Sequence, residues 1–379
     1  METKDKNDYK DLDINFVSKI SDGTQFVSIG NLEYMSIVNF RFNISKLFSE
    51  RLDELGVKPT DELEFKNIVF RNRFIFNEKK IFEPALRFGK CIFNNYPKFT
   101  DKIFKSKVKF RICEFWSVNI TNATFQEYTE FYDCLFHERV VISKCSFYDN
   151  VVFTKSTFRN NCLFTYSTFK KLAIFSRAKF EEENKTPTGL DLSQSVINGQ
   201  IIFFETILKD FKAFNFDSKS IKFDKTINEG DVIPQQNKRE TFRVIKHQLL
   251  QQNNVIEAEK YAKLEKQTLM EELLKGISIK RVPDLLLLTA NKFSNDYKTN
   301  WLYGLIFTLV VSFLCHSILS ISDIYKFSEF KNLIKLINIA DFSFYEKNIS
   351  CSLYVAYFIS KIAIGFGIYQ LIQAFRKFK

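Results

Sequence analysis

The sequence predicts a mainly β chain: a coiled β-solenoid, then an α-helical hairpin, then two transmembrane helices. Three observations carry this. Between Phe99 and Phe180 a phenylalanine, or an apolar substitute, recurs at alternating steps of five and six residues. From Phe242 to Leu269 the apolar spacing changes to three and four. Two later runs, Trp301 to Ile321 and Cys351 to Phe375, stay apolar over lengths that can cross a bilayer.

Phe131, Ile142, Phe153, Phe164 and Phe175 form one row and Phe136, Phe147, Phe158, Phe169 and Phe180 a second, each advancing by 11 residues. Two residues before each member of the second row stands something small: Cys134, Cys145, Ser156, Ser167, Ala178. A helical stripe recurs at about 3.6 residues and a half-exposed strand at about 2, so neither explains the cycle. A solenoid does, because short extended faces each point one aromatic inward and equivalent side chains stack in successive coils. The small residue is expected at a corner. The five-residue step also appears in Phe65 and Phe70, Phe88 and Phe93, and Phe99 and Phe104. After a gap at Glu181 to Gly189 the rhythm resumes as Ile197, Phe203, Leu208 and Phe214, with Thr206 two before Leu208.

Here the chain resembles the pentapeptide-repeat proteins, whose five-residue unit carries Leu or Phe at its centre and Ala, Cys or Ser two residues earlier. The stretches VVFTKSTFRNN, CLFTYSTFKKL and AIFSRAKFEEE resemble a Phe-rich variant in which every second unit gains a residue. The resemblance implies a right-handed quadrilateral β-helix with two 11-residue repeats per coil, over residues 65–225. The extra residue must form a bulge or a wider turn.

Residues 65–180 carry 21 Lys and Arg against 9 Asp and Glu, whereas residues 1–64 carry 8 against 13. The solenoid is therefore the basic part, suited to anionic lipid or to an acidic protein partner. An acidic imitation of duplex DNA has the wrong sign, and no zinc-finger spacing or recognition motif points to a nucleic-acid partner. Cys91, Cys113, Cys134, Cys145 and Cys162 each stand two residues before a Phe, which makes them compact core residues rather than ligands. With no CxxC and only His137, His247 and His316, no metal site or other cofactor is expected. A reducing, cytoplasmic setting for the solenoid follows.

Residues 1–64 are read as an irregular N-terminal cap. Met1 to Asp13 is polar and lacks the apolar core of an export signal, and Phe16 to Phe48, with Phe26, Ile29, Tyr34, Ile37 and Phe40, would close the first coil. Residues 237–275 read as two amphipathic helices around the polar turn Gln251 to Asn254. They resemble the helical hairpin that follows the repeats in many membrane-bound pentapeptide proteins, a connector that caps the solenoid or offers a face to a partner or a second copy.

The first span, residues 301–321, is uncharged over 21 residues. At about 1.5 Å per residue it covers a hydrocarbon core of roughly 30 Å. Trp301 and Tyr303 mark its entry. The second, residues 351–375, is apolar except for Lys361, Gln370 and Gln373, and is followed by Arg376, Lys377 and Lys379. Those cations, with the basic region Lys275 to Lys298, are expected to stay cytoplasmic. An inner-membrane protein with two spans, both termini cytoplasmic and an external loop at 322–350 is the expected topology. In that loop Phe330, Leu333, Ile334, Leu336 and Ile337 form a short amphipathic pattern suited to lying flat on the outer surface.

Lys361 and His316 are the candidate intramembrane functional residues. A charge inside a span costs about 3 kcal/mol on insertion scales, so Lys361 either snorkels to an interface, contacts another helix or lines a pore. His316 either titrates or bonds a neighbouring backbone. Gly365-Phe366-Gly367 reads as close helix packing, since a potassium filter needs a loop before a further helix. No catalytic constellation appears: P-loop, GxSxG, HExxH and dinucleotide motifs are all missing, and an enzyme is not expected. Two functions fit these features. In one, the solenoid is a protein-interaction or scaffold module fixed to the membrane. In the other, the spans of a homo-oligomer form a pore or channel-like effector of stress or defence, gated by the solenoid.

Overall fold

The computed structural model describes residues 14–17, 26–29, 36–38, 62–66, 68–70, 80–93, 99–181, 188–214, 232–275, 279–321, 330–341 and 350–376. It divides into two compact units, Met1–Gln248 and Leu249–Lys379.

The first unit is a parallel β-solenoid of about five coils. Within one coil Val108–Arg111, Glu114–Phe115, Val118–Thr121 and Thr124–Phe125 each join a different sheet, and Thr129–Tyr132 returns to the first. The described strands thus form four faces, met in rotation. Registers set Phe110 opposite Phe131, Phe115 opposite Phe136, Ile120 opposite Ile142 and Phe125 opposite Phe147, a climb of 21 or 22 residues per coil.

This pitch explains the rows. Residues 11 apart lie half a coil apart, on opposite faces, so each row divides between two columns. Phe65, Phe88, Phe110, Phe131, Phe153, Phe175 and Phe203 stack with centroids 4.7 to 5.5 Å apart and planes within 13°. Phe93, Phe115, Phe136, Phe158 and Phe180 form a second stack at 4.7 to 5.1 Å, and Phe104, Phe125, Phe147 and Phe169 a third at 5.0 to 5.5 Å. Ile120, Ile142, Phe164 and Leu192 complete the fourth face, whose Phe164 meets Phe153 of the first edge-on at 5.5 Å and 71°. Each stacked pair contributes roughly 1 kcal/mol beyond burial of its area.

The extra residue of every second unit is a corner. Lys90, Asp101, Ile112, Asn122, Asp133, Lys144, Lys155, Tyr166 and Arg177 all have left-handed backbones, with φ between 51° and 60°. Each directly precedes the two-before-Phe position. The conformation costs a non-glycine residue about 1–2 kcal/mol and is least natural for β-branched Ile112. What holds it is the ladder: Lys144 N–H donates to Thr165 O at 2.8 Å and Lys155 N–H to Ser176 O at 3.0 Å, one coil up.

The small residues do more than fit. Ser156 Oγ donates to Phe131 O at 2.7 Å and accepts from Cys134 N–H at 3.2 Å, and Ser167 Oγ donates to Ile142 O at 3.0 Å while accepting from Cys145 N–H at 3.2 Å. The thiols of Cys91, Cys113, Cys134 and Cys145 make the equivalent weak bonds to Phe65, Phe88, Phe110 and Ile120 carbonyls at 3.4 to 3.5 Å. The slot is thus a buried donor position tying one coil to the last, which size alone did not reveal. Ser156→Ala is expected to cost about 1–3 kcal/mol by orphaning two buried backbone groups, with Ser156→Cys losing less, read as thermal unfolding of the full chain.

At one end, Ile14–Val17 pairs antiparallel with Phe26–Ile29, which runs parallel to Glu62–Lys66, while Ser36–Val38 runs parallel to Ile68–Phe70. Strand pairing therefore reaches into the segment expected to be an irregular cap, where an antiparallel strand covers the edge. Tyr34 and Phe40 lie outside the described residues. At the other end, helix α1 (Gln235–Gln251) closes the last coil. Its Thr241 Oγ1 and Gln248 Oε1 accept from Leu192 and Ile201 N–H at 2.9 Å each, and Asn237 Nδ2 donates to Asp191 Oδ2 at 2.9 Å. Gly199 must be glycine, since a Cβ there would sit 2.0 Å from Lys171 O.

The second unit comprises α2 (Val255–Lys275), a single 3-10 turn, α3 (Val282–Asn295), α4 (Trp301–Leu319), α5 (Phe330–Ile337) and α6 (Cys351–Phe375). Two of these, α4 and α6, are long and apolar enough to cross a membrane. They pack against each other, and α5, inside the segment expected to be an external loop, packs on both.

Candidate functional site

Helix α4 buries Gly304, Thr308, Ser312 and His316, spaced by four along one face. Four-residue spacing puts them on a single stripe, and small residues there let α6 come close. A Cβ at Gly367 of α6 would fall 2.7 Å from Thr308 Oγ1 and 3.2 Å from Thr308 Cα. Thr308 and Ser312 satisfy their hydroxyls within the helix, donating to Gly304 O and Thr308 O at 2.7 Å. Gly365-Phe366-Gly367 lies inside the unbroken helix α6, so it is a packing surface and not a filter loop.

Lys361 of α6 is buried against α5, with 6% of its surface exposed. Its Nζ donates to Lys335 O at 2.7 Å and Asn338 O at 2.6 Å, and lies 5.3 Å from the Tyr357 ring centroid. Both carbonyls belong to the C-terminal end of α5, where the last helical carbonyls have no intrahelical donor and the helix dipole is negative. Around this contact Leu336 of α5 packs with Leu319, Leu353, Tyr357 and Ile364. His316, 3% exposed, lies on the same side of α4.

Nearer the other end of the pair, Gln370 and Asn295 are both buried. Asn295 Nδ2 donates to Gln370 Oε1 at 2.6 Å and Gln370 Nε2 to Asn291 Oδ1 at 2.9 Å, fastening α3 to α6. The turn after α3 runs through three left-handed residues, Asp296, Tyr297 and Lys298, with Asp296 bound to Lys263 at 2.5 Å. Trp301 stacks on Phe375 at 5.5 Å.

On the solenoid the nine repeat-core phenylalanines, Phe131 to Phe180, are all interior. Its outer surface carries a second pattern that spacing did not reveal. Trp116, 55% exposed, stacks on His137 at 5.2 Å; Arg159 Nη1 donates to His137 Nδ1 at 3.0 Å, and the opposite nitrogen faces Glu114 Oε2 at 3.1 Å. Lys155 covers Tyr132 at 5.4 Å and Lys170 covers Tyr148 at 5.9 Å. Face-outward Glu130 is buried between Arg111, at 2.8 and 3.2 Å, and Tyr128 Oη at 3.2 Å. That carboxylate raises the Arg111 guanidinium pKa, and burial together with Glu130 pushes the Tyr128 phenol up to about 12. Burial likewise holds the Cys113 and Cys162 thiols well above their ordinary range and Cys145 at about 12, which keeps them protonated and poor metal ligands.

Comparison of the chain with protein-family models, with curated proteins and with solved structures returns no match.

Proposed function

We propose that the chain is a membrane-anchored protein of the pentapeptide-repeat type whose cytoplasmic β-helix recruits an acidic protein partner, while α4 and α6 hold it in the inner membrane. The observation that carries this reading is the outer surface of the solenoid, where exposed Trp116 and Tyr148 and half-buried Tyr132 each lie against a His or Lys side chain. Flat aromatic area with adjacent cations is the composition that anchors interfaces with carboxylate-bearing partners. The stacked core supports it too, because a rigid scaffold loses little freedom on binding.

A photo-crosslinker placed at Tyr148 in the full chain, in native membranes, tests it. One discrete protein adduct is expected, weakened by added salt and lost in Lys170→Glu, whose ammonium lies over the Tyr148 ring. Absence of an adduct together with potassium flux through reconstituted liposomes would transfer the assignment to the pore reading, which the buried polar stripe of α4 and α6 favours.

A further inference from the structure

We propose that the carbonyl end of α5 is a site for a small monovalent cation inside the membrane, kept filled by the protein's own Lys361 ammonium. The inference rests on the reading that α4 and α6 cross the bilayer, and it concerns a site that the recruiting surface of the solenoid does not use.

Depth is the first argument. Lys361 stands ten residues from Cys351, about 15 Å along α6. The turn after α5 goes deeper: Ile339 Cδ1 lies 3.5 Å from where a Cβ would stand on Gly365, ten residues from Phe375. Gly365 is thus about 15 Å from the inner end of a core roughly 30 Å thick. Part of the segment between the spans therefore enters the membrane, and the end that descends is the C-terminal, negative end of a helix.

Convergence is the second. Lys335 O and Asn338 O meet on one point, 2.7 and 2.6 Å from Nζ, with the Tyr357 ring on a further side. Asn338 O also accepts Asp341 N–H at 3.0 Å, so the turn that follows α5 folds back on the same carbonyl. Carbonyl, carbonyl and ring face all favour positive charge, and inside a membrane such a set is costly unless filled. Half-helix C-termini at this depth coordinate monovalent cations as a general device of membrane proteins. Neutral carbonyls and a ring face suit a single positive charge better than a divalent ion, which calls for carboxylates.

Lys361→Ala in full-length protein reconstituted in nanodiscs vacates the position. Its melting temperature is expected to fall in choline chloride and to recover by several degrees in ethylammonium chloride or potassium chloride, while wild type responds alike to all three salts. Lys361→Met, which keeps the stem volume, is expected to show the same dependence. If neither variant folds in choline, refolding yield becomes the readout, and ethylammonium is expected to raise it. Variants as stable as wild type, or equally unstable in every salt, overturn the site. Retention in the membrane after an alkaline carbonate wash reads the spans separately: release of the wild type defeats the spans, whereas a retained but cation-blind variant defeats only the site.

Discussion

Phe153→Ala is expected to lower the unfolding free energy by about 3–5 kcal/mol, seen as a large drop in the solenoid's thermal midpoint by circular dichroism. The ring is wholly buried, lies 5.1 Å from Phe131 below and 4.9 Å from Phe175 above, and meets Phe164 edge-on at 5.5 Å. Its removal leaves a hole that the coils above and below cannot close, because the ladder fixes their separation at one strand spacing, about 4.8 Å. A second effect adds to it. Each coil touches only the coils on either side, so a lesion in the middle uncouples the two halves and broadens the transition. Phe203→Ala, at the end of the same column, has one stacking neighbour and should cost clearly less. Equal losses at the two positions would contradict a nearest-neighbour core.

Gly367→Leu is expected to force α4 and α6 apart, at a cost of about 1–3 kcal/mol. The new side chain would start 2.7 Å from Thr308 Oγ1 and only 3.2 Å from its Cα, so movement of the hydroxyl alone cannot relieve the overlap. Trp301 on Phe375 reports the separation. In a Trp116→Phe background Trp301 is the single tryptophan, and its emission should shift while solenoid melting stays unchanged. Gly367→Ala should give a weaker shift in the same direction. A Leu variant with unaltered emission and stability would remove the close packing.

Much of the architecture was legible because an inward aromatic repeats at a period no other element shares. The two-residue offset to Cys134, Cys145 and Ser156 was equally legible, but the donor role was not, since Ala178 occupies the same slot and suggests size alone. The corners were visible only as an extra residue. Lys155, Tyr166 and Ile112 take a left-handed backbone that their side chains do not favour, so the ladder imposes it and no glycine marks it. Leu192 escaped notice because the coil between Ala173 and Ile201 is 28 residues long, which shifts the count. Lys361 stood out as a charge in an apolar run, yet its partners are backbone carbonyls, which have no residue signature. The antiparallel strand at Ile14–Val17 breaks the period and so could not be read from it.

The register of the coils also governs how this chain can change length. Val151 opposes Ala173, so a duplication of Val151 to Leu172 would insert a layer in which every interior neighbour is the one already present. Such an event adds about 4.8 Å and leaves the flanking layers untouched. Losing eleven residues instead would rotate all that follows by half a revolution, setting Phe-lined walls over Ile-lined ones and turning the outer aromatics to the opposite side. Heritable variation in this protein's reach should therefore come in whole-layer increments, with any exterior patch carried along at a fixed bearing.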